Sequence, residues 1–306
     1  MTAEVAVLEV SGWAPAEDEF LGTKPKMWLY GPPADGDEAV RWLWKAATTN
    51  RDRLRGDFLK GDDWAEVVAS RVGAALGIPV AEVVLAENNN MPGIVSRSFL
   101  QEDEILVHGD ELIEEVTDDR SARGRESFTL ANVASALSDC RPPSEHEVLR
   151  TALDWFAGFL VLDALVGNTD RHEQNWGAIQ SPDGSRRLAP SFDHASCLGF
   201  MLHDDVRAEY LVDAGPGRTV VDYAARAKPK MQGYASPLDA AVATLGRTER
   251  AARKWWSDAV DHVDALEPFL AGLPESRLTP AAAEFASALY RQNHEALSQA
   301  LRTMPA

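Results

Sequence analysis

The chain is short of cysteine: Cys140 and Cys197 are its only two thiols in 306 residues. Two cysteines build neither a disulfide framework nor a cysteine zinc site, and they are consistent with a reducing compartment. Positive charge is also scarce, with 30 Lys and Arg against 48 Asp and Glu and a formal net charge of -18. Such a chain repels nucleic acid phosphates and acidic membrane surfaces, so neither is expected as a partner. Long apolar runs are missing too. The longest, Trp155 to Val166, is about half a membrane span and carries Asp163, so it reads as a buried helix. The opening MTAEVAVLEVSGWAPAEDEF has acids where an export signal needs positive residues, and Glu4 and Glu9 interrupt its apolar positions. A cytoplasmic protein is expected. Hydrophobic residues at 45% and charged residues at 25%, with 9 Trp and 10 Phe, describe an ordinary globular core. At this length that core belongs to one bilobed domain or two modest ones.

Met27 to Tyr30 and Ala39 to Lys45 flank the turn formers Gly31-Pro32-Pro33-Ala34-Asp35-Gly36, the pattern of a β-hairpin. Alternation along the second strand puts Val40, Trp42 and Trp44 on one face and Arg41, Leu43 and Lys45 on the other. Asp62 and Asp63 then precede Trp64, Val67, Val68, Val72 and Leu76 at helical spacing, and Gly77 and Pro79 close the helix. Glu66, Ala69, Ser70 and Gly73 form a side of that helix small enough, Glu66 apart, to approach a sheet closely. A second hairpin is expected from Val80–Ala86 and Ile94–Phe99 around Asn88-Asn89-Asn90. From Glu102 onward helical patterning dominates, with a charged loop over Asp118–Glu126, a buried helix from about Glu147 to Val166 and a helical tail from about Thr248.

The densest polar cluster, GNTDRHEQNWG at 167–177, leaves the most apolar helix in the chain, so a rigid element pins the loop. A hairpin follows, Trp176–Gln180 and Arg186–Ala189 around Ser181-Pro182-Asp183-Gly184, and its geometry brings Asn175 and Asp193 out side by side. Two oxygen-bearing side chains converging there suit magnesium, which takes one or two protein oxygens and completes its shell with water and phosphate. Asp170 lies five residues before Asn175. A residue placed to accept a hydroxyl proton, an Asn five positions on and an Asp after the next hairpin follow the spacing of a kinase catalytic loop and metal Asp.

At this point the sequence resembles the HipA-like kinases. Asn168-Thr169-Asp170-Arg171-His172-Glu173-Gln174-Asn175 matches that family's N-x-D-x-H-x-x-N motif, and Leu188-Ala189-Pro190-Ser191-Phe192-Asp193 is similar to its metal-binding segment. The likeness extends to Trp42-Leu43-Trp44-Lys45, Gly61-Asp62-Asp63-Trp64-Ala65-Glu66 and Gly93-Ile94-Val95-Ser96-Arg97-Ser98-Phe99, covering roughly residues 20–230. The resemblance implies a two-lobed α+β kinase-like fold, with a β-rich small lobe over 1–100 and a helical lobe over 101–306. It implies ATP and Mg2+ as cofactors and a Ser or Thr of a protein or peptide as phosphate acceptor. Residue by residue, it implies that Lys45 pairs with ATP phosphates and with Glu66, that Val95, Ser96 and Arg97 form the adenine hinge, that Asp170 is the base, and that Asn175 and Asp193 hold magnesium. The candidate phosphate loop is Leu21-Gly22-Thr23-Lys24-Pro25-Lys26, in which Gly22, Thr23 and Lys24 would meet the nucleotide, although it is not G-x-G-x-x-G. The extra N-terminal subdomain of the family's toxin members is expected to be absent, and His194 stands after the metal Asp where protein kinases carry Phe-Gly.

Other uses of these residues stand beside this reading. Asp63-x-x-Glu66 is also a capping-box-like pattern in which Glu66 would satisfy the helix start. His172 reads as a loop brace, Asp163 as a brace that must be paired if buried, and the basic stretch Arg218, Arg226, Lys228, Lys230 as a solvated loop, with an acidic substrate as its other use. A kinase of this fold acting on a small molecule or lipid headgroup is one alternative. A metal-dependent phosphohydrolase is another, with Asp170, His172, Asp193 and His194 as ligands.

Overall fold

The computed structural model describes residues 5–18, 26–32, 39–117 and 124–304. Gly22, Thr23 and Lys24 lie outside the described residues, as do the turn at 33–38 and most of the charged loop at 118–123. The first half is built on a six-stranded sheet whose members are β1 (Leu8–Glu9), β2 (Ala14–Asp18), β3 (Lys26–Gly31), β4 (Val40–Ala46), β7 (Val83–Asn88) and β8 (Met91–Arg97). Their spatial order is β1-β7-β8-β4-β3-β2, antiparallel throughout except where β1 pairs parallel with β7. A separate ribbon of β5 (Thr49–Asn50) and β6 (Phe58–Leu59) fills the interval before helix α1 (Asp62–Ala75). The β7–β8 turn is made by Asn89 and Asn90, both at positive φ (50° and 62°), a backbone that asparagine tolerates and two-residue hairpins need.

Helix α1 is buried on nearly all sides. Val67 packs on Leu85 and Ile94 of the sheet, while Trp64, Val68 and Val72 join the core of the helical half. The small-residue side works by close approach: a Cβ added at Gly73 would lie 2.7 Å from Val80 and 3.0 Å from Leu162, and Ser70 Oγ donates to the carbonyl of Ala81 at 2.8 Å. Its first turn starts after Gly61 with no side-chain cap, so Glu66 is not used to close the helix end.

The second half contains β9 (Ile105–His108), α2 (Gly109–Val116), α3 (Leu130–Ala136), α4 (Ala152–Val166), β10 (Gly177–Gln180) and β11 (Arg186–Leu188). Beyond them come α5 (Asp204–Leu211), α6 (Val220–Ala224), α7 (Pro237–Leu245), α8 (Arg250–His262), α9 (Glu267–Leu270) and α10 (Pro280–Thr303). Helix α4 is the apolar segment, buried almost along its whole length among α1, α7, α8 and α10. It is shorter than the pattern suggested, because Thr151 and Asp154 form a capping box and start it there, with Thr151 Oγ accepting from the Asp154 N–H at 3.1 Å and Asp154 Oδ2 accepting from the Thr151 N–H at 2.9 Å. Gly167 ends it in the left-handed region at φ 66°. β9, which sequence periodicity does not reveal, pairs antiparallel with β10, and β10 with β11. The chain after β11 then returns to the first half: Ser191 N donates to the carbonyl of Pro79 at 2.8 Å and the Ala81 N–H to the carbonyl of Ser191 at 2.9 Å. Among the described residues no helix is long and apolar enough to cross a membrane.

Candidate active site

A cleft of about 450 Å³ opens between the six-stranded sheet and the helical half. Its apolar wall takes Leu43 from β4, Phe99 and Leu100 from the chain leaving β8, Leu106 from β9 and Phe192 from the segment after β11. Its polar wall takes Lys45, Asp170, His172, Asn175 and Asp193. Strand alternation explains the first of these. Trp42 and Trp44 turn into the sheet's own core with Val95, and Leu43 and Lys45 therefore face the cleft.

Lys45 Nζ donates to Glu66 Oε1 at 3.1 Å and to Asp193 Oδ1 at 3.2 Å. Three elements far apart in sequence, β4, α1 and the stretch after β11, thus meet on one ammonium group. Burial alone would favour the neutral amine, but the charges of Asp193 and Glu66 outweigh it and hold the Lys45 pKa above the ordinary lysine value.

Asp193 sits at φ 58°, in the left-handed region, and this turn of the backbone sends its carboxylate into the cleft. The next residue goes the other way. His194 is fully buried, with Nε2 2.7 Å from Ser191 Oγ, and burial pushes its pKa well below the usual imidazole value, aided by Arg171. A ring buried away from the cleft lining does not meet a cation there. The ligand set of Asp170, His172, Asp193 and His194 that a phosphohydrolase would use is therefore not assembled, and the described residues contain no group of three or more His, Cys, Asp or Glu able to hold a metal.

The loop from Gly167 to Trp176 is braced from below by a buried guanidinium. Arg171 donates to Asp163 from Nε at 2.5 Å and from Nη2 at 2.9 Å, to the carbonyl of Asn175 at 3.1 Å and to Ser191 Oγ at 3.1 Å. Asn168 Nδ2 also donates to Asp163 at 2.8 Å, and Asn168 Oδ1 accepts from the Asp170 N–H at 3.1 Å. Asp163 is the buried partner its place in an apolar helix demanded. His172 Nδ1 accepts from the Gln174 N–H at 3.1 Å, a brace within the loop. Asn175 Nδ2 donates to the carbonyl of Asp170 at 2.8 Å, and since a carbonyl only accepts, Oδ1 is the atom Asn175 can offer a cation. Asp170 itself stands at the rim, its side chain 41% exposed, with Lys230 Nζ 3.4 Å from Oδ1.

Of the residues singled out from sequence, Lys45, Glu66, Asp170, Asn175 and Asp193 gather at this cleft, and Ser96 and Arg97 line it. Val95 does not: its side chain is wholly buried against Trp44 inside the sheet, because it alternates to the opposite face from Ser96. Sequence reasoning missed Arg171, Ser191 and His194 as a buried network, and Phe99, Leu106 and Phe192 as wall. The only advance signal for them was adjacency to the polar motifs.

Three comparisons bear on this arrangement. Residues 20–265 match the model of the HipA-like C-terminal domain family. The serine/threonine-protein kinase CtkA of Helicobacter pylori is 31% identical over 144 residues, which is 47% of this chain and 42% of that protein. The crystal structure of the H. pylori proinflammatory kinase CtkA superposes with a TM-score of 0.70 at 16% identity, covering 98% of this chain and 100% of that one. Shewanella oneidensis HipA, solved in complex with HipB and operator DNA, superposes with a TM-score of 0.54 at 14% identity, covering 96% of this chain and 69% of that one. The α+β fold, a curled sheet followed by a helical region, is the fold of the CtkA structure.

Proposed function

The chain belongs to the HipA-like C-terminal domain family, and from that membership we propose that it is an ATP- and Mg2+-dependent kinase that phosphorylates a Ser or Thr hydroxyl of a protein or peptide. The observation that carries this reading is the ammonium of Lys45 held between Glu66 at 3.1 Å and Asp193 at 3.2 Å, on the cleft that Asp170 and Asn175 also line. In this reading residues 1–100 form the nucleotide-binding lobe and 101–306 the catalytic one, and ATP enters the cleft between them.

The residues present fit the nucleotide and its metal. An apolar wall of Leu43, Phe99 and Leu106 suits an adenine ring, a lysine kept charged suits phosphate oxygens, and Asn175 Oδ1 with the Asp193 carboxylate is the sparse, all-oxygen set that magnesium accepts. Bound magnesium would neutralise charge that develops on the transferring phosphoryl group. Glu66 orients Lys45, and Lys45 in turn balances Asp193. Asp170 accepts the hydroxyl proton and positions the acceptor oxygen. The adenine contact is assigned to the backbone and side chains from Ser96 to Leu100, with Val95 supporting the strand from behind.

The test is incubation of the protein with γ-labelled ATP and magnesium, followed by mass spectrometry of the protein and of a lysate from its source cell. Label on Ser or Thr of a polypeptide is the expected result. Label only on a metabolite would transfer the reading to a small-molecule kinase, and magnesium-independent phosphate release without ATP binding would overturn it.

A further inference from the structure

Lys230 is held next to Asp170 by the packed chain around it. Met231 is buried in the main core, the Gln232 N–H donates to the carbonyl of Phe128 at 2.8 Å, and Pro229 and Lys230 lie over Asn168 and Arg171 at the back of the loop. The backbone on either side is thereby anchored, and the side chain, 28% exposed, brings Nζ to 3.4 Å from Asp170 Oδ1. Two of its basic neighbours are used otherwise: Arg218 pairs with Glu209, and Arg226 donates to Tyr210 Oη at 2.8 Å. The cation inside the loop, Arg171, is spent on Asp163 and Ser191 in the interior.

Resting on the kinase reading, we propose that Lys230 is a catalytic residue: its ammonium meets the oxygens of the transferring γ-phosphoryl group on the acceptor side, opposite Lys45. In the step it serves, the acceptor oxygen forms its bond to the γ-phosphorus, the bond from phosphorus to the β,γ-bridging oxygen breaks with its electron pair leaving on ADP, and the hydroxyl proton passes to Asp170. Lys230 stays protonated throughout. Negative charge spreads over the equatorial oxygens during this step, and a preorganised cation at that point lowers the barrier. Lys45 and the metal residues Asn175 and Asp193 approach from the nucleotide side. Lys230 supplies the matching charge at the base.

The test compares wild type, Lys230→Met and Lys230→Arg in two measurements. Calorimetry with MgADP, with and without aluminium fluoride as a planar mimic of the phosphoryl group, should show MgADP affinity within about threefold in all three proteins. The gain conferred by fluoride should fall about tenfold or more in Lys230→Met and be largely kept in Lys230→Arg. Consumption of γ-labelled ATP should fall roughly a hundredfold in Lys230→Met with little change in KM for ATP. A fluoride gain or a turnover in Lys230→Met equal to wild type would overturn the proposal while leaving the kinase reading intact. Failure of wild type itself to bind MgADP would overturn both, and the two failures are told apart by the wild-type titration alone.

Discussion

Asp193 holds a backbone conformation that costs most L residues about 1 kcal/mol and that Asp and Asn tolerate best. The substitution chosen to test it therefore matters. Asp193→Asn preserves the φ of 58° and removes only the charge facing Lys45. Its turnover should fall sharply and its magnesium requirement rise, with thermal stability near wild type, whereas Asp193→Ala should also melt earlier through added backbone strain. Titrating activity against magnesium checks this, and an unchanged requirement in Asp193→Asn would remove Asp193 from the metal site. Asp170 makes the complementary prediction. Its carboxylate pairs with Lys230, and Asn175 bonds only its backbone carbonyl, so Asp170→Asn should keep ATP affinity within a few fold while turnover falls by roughly two to four orders of magnitude. Loss of ATP binding together with activity would make it a metal ligand instead. That Lys45, Asn175 and Asp193 would line one cleft was readable from sequence, because strand alternation aims Lys45 and a hairpin carries the chain from Asn175 back to Asp193, both short-range rules. Val95, which the resemblance placed in the hinge, keeps its side chain inside the sheet because alternate residues of a strand face opposite ways. Lys230 carried no signal beyond local basicity, since its partner Asp170 is 60 residues away and the anchoring of Met231 and Gln232 brings them together.

Helix α1 is held at both ends of its cleft-facing turn. Glu66 bonds Lys45, and one turn earlier Asp63 accepts from Arg277 Nη1 at 2.7 Å, an ion pair in which both side chains are almost fully buried. Burial pushes the Asp63 carboxyl up against the pull of Arg277 and of the Trp64 N–H. Arg277 also donates to the carbonyl of Ala86 at 2.8 Å, and Arg71 to that of Phe269, so the chain around α9 clasps α1 onto the sheet. Breaking a buried pair on one side costs about 3–5 kcal/mol, and Arg277→Met should lose stability on that scale. Adding Asp63→Asn to it should recover part of the loss, which thermal melts of the two variants measure; no recovery would mean that the guanidinium acts by packing alone. The three-stranded sheet has a milder, acid-sensitive tie. Arg187 holds the Glu104 carboxyl, and Arg186 the Glu115 carboxyl, below the ordinary value of 4.5. A depressed carboxyl contributes stability above its unfolded pKa and loses it as pH falls below that value. These pairs should contribute up to about 1 kcal/mol each at neutral pH and fade below about pH 4.5, and Arg187→Met should flatten that part of the melting profile between pH 6 and pH 3. The helices α1 and α4 and the three hairpins were legible as periods and turn formers. β9 was not, because four residues pair with a strand some seventy positions later, and the clasp of Arg277 on Asp63 spans 214 residues with no local trace.

On the scale of the whole molecule, the net charge of -18 opposes the approach of a polyphosphate, so the cleft must concentrate its few cations. It does so by drawing on distant parts of the chain: Lys26, Lys45 and Arg97 of the sheet line the cleft, and Lys230 of the helical half stands at its rim beside Asp170. The division into a β-rich first part and a helical second part followed from the change in periodicity near residue 100, but the way the halves join did not, since the contacts of Ser191 with Pro79 and Ala81 are backbone pairings that no side chain announces. A ligand that fills the cleft touches both halves at once and should stabilise them as one unit. At a concentration of MgATP about a hundred times its Kd, mass action adds about 2.7 kcal/mol to the folded state. For a chain of this size that corresponds to a rise in Tm of roughly 4 °C. The rise should shrink when EDTA removes magnesium, because Asn175 and Asp193 then face the phosphates without a cation between them, and it should shrink further in Lys45→Met. Melting curves of wild type and Lys45→Met, with ATP alone, with magnesium alone and with both, make the comparison. A rise in Lys45→Met equal to that of wild type would show that the nucleotide binds elsewhere, and a rise produced equally by ATP with EDTA would remove the metal from the binding site.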